Sequence, residues 1–243
     1  MIKKNKFSVI TVCFNSERTI RDTIESVLKQ TYTEYEYLII DGKSDDTTLS
    51  IIKEYETSFE GKMKLISEKD NGIYDAMNKG IQHADGDIIG FINSDDWLEP
   101  DALENINNEF ILNNCEVVYG LLRFYKHDKY FGMNGNSHYF INDSMIAFPT
   151  CFIKKSVYEK YGVYNTKYKS VADYDYIIQI VKYGVEIHFV EKVIANFRIG
   201  GMSSSLTAAY ETNSIRYKYG FISFKKYLLM ILFLKLKNLL NII

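Results

Sequence analysis

Two adjacent aspartates, Asp95 and Asp96, close an apolar run that ends at Asn93. Neighbouring carboxylates raise one another's pKa unless a cation or hydrogen bonds compensate. A divalent cation with oxygen preference, Mn²⁺ or Mg²⁺, supplies that compensation and usually completes its shell with substrate phosphates. Taken alone, an Asp-Asp pair is more often a solvated turn that caps the next helix. A second constellation is Asp41-Gly42 within DGKSDDTT, where Gly42 permits a sharp turn and Asp41 points into the crevice beyond a strand. A carboxylate there accepts from a base N–H or a ribose hydroxyl, although alone it reads as a turn with an N-cap. The stretch from Glu68 to Gly80 adds Asp70 and Lys79. Lys79 is within reach of a phosphate, but its plain reading is a surface lysine. Fourth, Asp173 opens the helix-period run in ADYDYIIQI, with Asp175 as a weaker candidate on the helix side. A carboxylate at that position can take the proton of an attacking hydroxyl. Helix amides favour its ionised form and so limit its basicity, and taken alone it reads as an N-cap.

Bringing these groups together requires strands whose ends meet, and the hydrophobic pattern supplies them. Phe7 to Phe14 is β-branched and aromatic and reads as a buried strand. A helix with Ile20, Ile24, Val27 and Leu28 on one face follows. Tyr37 to Ile40 is a second strand, and a helix begins near Asp46 as N-cap and buries Leu49, Ile52 and Tyr55. Lys64 to Ser67 is a third strand, ahead of a helix face made by Ile73, Met77, Ile81 and Ala84. Asp87 to Asn93 is a fourth, with Pro100 in the first turn of a helix burying Leu103, Ile106 and Phe110. This alternation implies right-handed βαβ crossovers in an α/β, Rossmann-like, mainly parallel sheet flanked by helices. Such sheets bind ligands beyond the carboxyl ends of their strands, where three of the acidic clusters fall. Past residue 114 the rhythm becomes mixed. Strands are expected at Cys115 to Tyr125, Lys129 to Met133 and Val193 to Arg198, and a helix from Tyr174 to Tyr183 that Gly184 stops. The expected organisation is a domain over 1–205, with a donor half (1–114) and an acceptor half (115–205), followed by a helical tail over 206–243.

A net charge of -2 leaves no basic excess for a nucleic-acid backbone, which argues against nucleic acid as a partner. Cys13, Cys115 and Cys151 form neither a disulfide framework nor a metal-binding pair. With a charged start that enters a strand directly and shows no secretory signal, they point to a cytoplasmic protein. In the tail, Tyr227 to Leu234 is apolar all round between lysines. It is too short to span a bilayer, which leaves two readings: an interfacial helix peripheral to the inner face of the cell membrane, or a helix docked on the domain or on a dimer partner.

Over Phe7 to Ser204 the chain resembles family 2 glycosyltransferases. Six segments in family order carry the resemblance: SVITVCFNSERTI, DGKSDDTT, EKDNGIYDAMNKGI, FINSDDWLEP, ADYDYIIQI and FRIGGMSS. It implies a GT-A fold and inverting, single-displacement transfer from a nucleotide-sugar donor, UDP by preference, to a saccharide or lipid-linked acceptor. Asp41 and the backbone near Thr11 and Phe14, with Glu17 nearby, would bind the base. Asp70 and Lys79 would face the donor. Asp95 would touch the ribose, Asp96 would hold Mn²⁺ or Mg²⁺, and Asp173 would be the general base. Arg198 to Ser204 resembles the loop that closes over the diphosphate. The sequence departs from the family pattern where Asn93 replaces a common Asp, where the first strand lacks its proline, and where Ala172 precedes Asp173 in place of Glu. A catalytically silent relative that supports another transferase is the alternative, and intact Asp95, Asp96 and Asp173 speak against it. The absence of a Gly-rich basic loop after the first strand argues against a nucleotidyltransferase. The absence of a Q-x-x-R-W run argues against processive synthesis.

Overall fold

The computed structural model describes residues 4–201 and 205–239. Its centre is β1 (Phe7–Cys13), a strand with all seven residues buried. Covering on both faces explains why this segment is continuously apolar rather than alternating. Its side chains divide by the period of two: Phe7, Val9 and Cys13 enter one core, Ile10 and Val12 the other. β2 (Tyr35–Asp41) and β4 (Ile88–Phe91) flank β1 in parallel, and β3 (Met63–Ser67) adds beyond β2. The crossovers are α1 (Ile20–Leu28), α2 (Thr48–Glu54) and α3 (Ile73–His83). The register pairs Cys13 with Asp41 and Asp41 with Ser67, so the polar ends of three strands lie level.

β5 (Trp97–Leu98) and α4 (Ala102–Leu112) lead into the second half, which comprises β6 (Val117–Lys126), β7 (Lys129–Asn134), β8 (Phe152–Lys154), α5 (Lys155–Tyr161), α6 (Ala172–Lys182) and β9 (Ile187–Arg198). The sheet order is β3-β2-β1-β4-β8-β6-β9-β5, with β7 paired to β6. β8 runs antiparallel to β4 and carries the sheet across the two halves, while β9 runs parallel to β6. α7 (Leu206–Lys218) and α8 (Phe224–Leu239) complete the described chain.

The alternating first half follows the sequence pattern. The second half departs from it where apolar periodicity is broken. β9 starts at Ile187 rather than Val193, because Glu191 and Lys192 interrupt its apolar run while remaining exposed. β5, β8 and α5 are too short to show a period. Pro100 precedes α4, whose N-cap is Asp101, so it lies outside the first turn. α7 is tied to the body of the protein: Glu211 accepts from the amides of Lys169 and Ser170, and Lys218 Nζ donates to buried Asp175 at 2.8 Å. All three cysteines are free and buried. Among the described residues, no helix is long and apolar enough to cross a membrane.

Gly90 of β4 faces Phe152 of β8 at the junction between halves, and a Cβ there would collide with the buried Phe152 ring. Gly90→Ala is expected to cost ~1–3 kcal/mol through overpacking. The check is urea unfolding, where the midpoint should fall with an unchanged slope and Phe152→Leu in the same chain should recover part of the loss.

Candidate functional site

A cavity of ≈ 1100 Å³ opens beyond the carboxyl ends of β1 and β4 and takes its lining from both halves. The chain turns from β1 to β2 on one side and returns to β4 on the other, so this is the switch point at which α/β sheets bind ligands.

One end is built around Phe14, a residue 62% exposed that lines the opening. Gly42 lets this corner close: a Cβ there would sit 2.5 Å from Asp70 Oδ2 and 3.4 Å from the Phe14 ring. Glycine is therefore needed for close approach, while Lys43 takes the left-handed backbone of the turn (φ 70). Asp70 Oδ1 accepts from the Gly72 amide at 2.9 Å at the entry to α3. An exposed aromatic face beside a carboxylate suits a planar heterocycle with a ring N–H.

Several residues expected at this end lie elsewhere. Asp41 has no exposed surface, and its carboxylate accepts from the amides of Lys43 and Ser44 and the hydroxyls of Ser44 and Ser67. It is the staple of the turn and does not line the cavity. Thr11 is buried and accepts from Tyr37 Oη. Glu17 does line the cavity, but its carboxylate accepts from the amide and hydroxyl of Thr47 at the start of α2. Lys79 is held by the Lys69 carbonyl at 2.9 Å and by Glu68 at 3.0 Å, and lies outside the cavity lining.

The Asn93–Asp96 turn separates its two carboxylates. Asp96 is wholly buried and turned inward, where Oδ1 accepts from the Arg198 amide at 3.1 Å. Burial, then the charge of Asp95, pushes its pKa well above the carboxylate range. Asp95 lines the cavity, and burial raises its pKa too, with Arg198 acting in the opposite direction. Arg198 itself lies beyond the cavity wall, in a second pocket shared with Asp22 and Tyr125. Its guanidinium sits 4.7 Å over the Trp97 ring, pairs with Asp22, and donates to the Asp95 carbonyl at 2.9 Å. It fixes the backbone of Asp95 from outside the cavity lining. Of the loop expected to close over the diphosphate, Met202 to Ser204 lie outside the described residues, while Gly201 lines the cavity beside Asp95.

Among the described residues, no three His, Cys, Asp or Glu side chains form a metal cage. Of the Asn93–Asp96 turn, Asp95 is the carboxylate that reaches the cavity, and one such ligand fits Mg²⁺ or Mn²⁺ arriving with a diphosphate, because these ions keep few protein ligands and many phosphate or water oxygens.

The opposite end carries Asp173 at the start of α6, where the N-cap is Val171. Its Oδ1 accepts from Tyr74 Oη of α3 at 2.8 Å. Burial raises its pKa, and the hydrogen bonds from Tyr74 and the local amides only partly offset this. Helix amides alone would favour the ionised form; desolvation outweighs them here although the half-buried carboxylate lines the cavity, because the cavity floor is crowded by neighbouring protein atoms. Asp175 points away toward Lys218. Leu122, Phe124, Met145, Phe148, Pro149 and Phe197 make an apolar wall from the second half. Tyr74 is legible in sequence only as a helix residue one turn before Asn78; its bond to Asp173 joins elements about a hundred residues apart. Phe148 and Pro149 gave no local signal, since their place depends on a 3-10 turn packed across the sheet.

The model of the glycosyl transferase family 2 matches residues 8–178. A PGL/p-HBAD biosynthesis glycosyltransferase from Mycobacterium bovis strain BCG is 26% identical over 205 residues, covering 82% of this chain and 80% of that protein. The putative glycosyltransferase EpsE of Bacillus subtilis is 39% identical over 100 residues, 41% of this chain and 36% of its own. Among solved structures, S. aureus TarS 1-349 in complex with UDP-GlcNAc overlays 87% of this chain with a TM-score of 0.72 at 20% identity. This chain spans 65% of that TarS fragment. The mannosyltransferase PcManGT from Pyrobaculum calidifontis, in complex with GDP-Man and Mn2+, overlays 97% of this chain and 71% of its own, with a TM-score of 0.71 at 16% identity. These overlays make the fold GT-A. The chain belongs to glycosyl transferase family 2.

Proposed function

We propose that the protein is an inverting, metal-assisted glycosyltransferase that moves a sugar from a nucleoside diphosphate, UDP by preference, to a hydroxyl of a saccharide or lipid-linked acceptor. The observation that carries this is the convergence of Phe14 and Asp70, Asp95, and Asp173 on one cavity from distant parts of the chain. Phe14 offers a face for the base and Asp70 an acceptor for the ring N–H of uracil. The complexes of TarS with UDP-GlcNAc and of PcManGT with GDP-Man and Mn2+ support a nucleotide-sugar donor and a cation in this fold. Buried, unpaired cysteines are in keeping with a reducing, cytoplasmic setting.

Asp95 is the carboxylate placed to hold Mn²⁺ or Mg²⁺, and a bound cation would neutralise charge developing on the leaving diphosphate. Asp173 takes the proton as the acceptor oxygen bonds to the anomeric carbon. The bond from that carbon to the diphosphate oxygen breaks with its electron pair, and the configuration inverts. Tyr74 orients Asp173 by donating to Oδ1, while the apolar wall excludes water and positions the acceptor.

Calorimetric titration of UDP with and without Mn²⁺ tests the donor end. Asp95→Ala should lose the metal-dependent part of binding, at least tenfold, with little change in stability. Asp96→Ala should instead lower stability by ~1–3 kcal/mol, because it removes a buried side chain and leaves the half-buried Arg198 amide without its acceptor. The reverse pattern would return the metal role to Asp96.

For the base, Asp173→Asn should reduce kcat by roughly 10²–10⁴-fold and leave UDP affinity unchanged. The acidic limb of kcat/KM should lie above the ordinary aspartate value of 3.8, since the folded pKa is raised and only the ionised form accepts a proton. Tyr74→Phe removes a bond that favours the carboxylate, so that limb should move to still higher pH. For stability the sign runs the other way: a raised folded pKa adds stability below the unfolded value, and this is lost as pH rises through the folded one. Asp173→Asn should therefore not lower Tm at neutral pH; a full-activity Asp173→Asn enzyme would rule out this base.

A further inference from the structure

α8 is apolar on two opposite faces. At 100° per residue, Tyr227, Met230, Ile231 and Leu234 form one side, the side that docks. Leu234 is buried, and Tyr217 of α7 stacks on Tyr227 with ring centroids 5.0 Å apart. The opposite side presents Leu228, Leu229, Leu232, Phe233 and Leu236, each between 43% and 61% exposed. No described residue covers this stripe, and isolated soluble surfaces rarely leave one so continuous.

The charges around it identify what covers it. Lys235 lies on one flank of the stripe and Lys226 and Lys237 on the other, with Lys225 at its N-terminal end. Phe224–Leu239 contains no acidic residue, although the whole chain has a net charge of -2. Positive charge is thus concentrated where apolar surface is exposed, and lysine stems of this length can reach headgroups while the leucines enter the acyl boundary. Lys225 and Lys226 on one side and Lys235 and Lys237 on the other leave Tyr227–Leu234 as the uninterrupted apolar run, far short of the roughly 20 residues a bilayer crossing needs, so this segment fits the interface plane and not a span. A second copy of the same face is disfavoured, because pairing would bring two lysine-rimmed stripes together with no carboxylate between them.

We propose that α8 docks the protein on an anionic lipid bilayer, lying along the surface with the Leu228–Leu236 stripe inserted and the lysines at the phosphate level. This docking does not depend on the transferase chemistry.

The test is flotation of the full chain with vesicles of phosphatidylcholine alone or mixed with phosphatidylglycerol, at low and high salt. The wild type should float with the anionic vesicles and be weakened by salt. Leu232→Glu with Phe233→Glu should abolish flotation, and Gln at Lys225, Lys226, Lys235 and Lys237 should weaken it by tenfold or more, given about 1 kcal/mol per basic residue at such a surface. Both variants alter exposed or rim positions, and unchanged circular dichroism and UDP binding would confirm that they remain folded. Failure of the wild type to float, equal flotation with neutral vesicles, or a concentration-dependent dimer abolished by Leu232→Glu in the absence of flotation would each overturn the proposal.

Discussion

The carboxylate of Asp41 is the constraint from which the site's geometry follows. It sits at the end of β2, fully buried, between the ends of β1 and β3. A buried charge without partners would be prohibitive, so the turn folds to supply donors from Lys43, Ser44 and Ser67. The adjoining backbone joins the same knot, with the Gly42 amide donating to Cys13 and the Glu68 amide to Asp41. Three strand ends are thereby held level, and Phe14 and Asp70 are carried to the rim. The residue with the most hydrogen bonds in this corner acts as scaffold, and its neighbours are left to line the cavity.

A second knot serves the other carboxylates. Arg198, at the end of β9, uses its amide to satisfy Asp96, one guanidinium nitrogen to hold the Asp95 carbonyl, and another to pair with Asp22. The second half of the chain therefore fixes the aspartates of the first. Asp95, Asp96 and Asp173 all have pKa values raised chiefly by burial, so ionising them costs stability. In the proposed mechanism a cation beside Asp95 or a proton taken up by Asp173 would relieve that cost.

The C-terminal helices connect this chemistry to the protein's exterior. Glu211 and Lys218 of α7 grip the start of α6 from outside, at Lys169, Ser170 and Asp175. Asp173 belongs to the same turn, so α7 is part of the frame that aims it. α8 packs on α7 and turns its second apolar face outward.

The sequence alone determined the βαβ rhythm, the strand-end placement of the acidic clusters and the family, because these rest on local periodicity and on motifs contiguous in the chain. It could not assign direction at the strand ends. Asp95 and Asp96 are adjacent and chemically identical, and the Arg198 amide, about a hundred residues later, decides which one turns inward. Lys79 and Arg198 carry the charge a donor site would use, yet nearer carboxylates and carbonyls claim both. The balance at Asp173 was hidden as well: helix amides can be read from position, but desolvation and the hydrogen bond from Tyr74 of α3 depend on elements brought together from distant parts of the chain. Pattern records which groups a segment must bury. Only the packed tertiary structure decides which partner reaches each polar atom first, and in a site made of like charges that choice separates scaffold from cavity-facing residue.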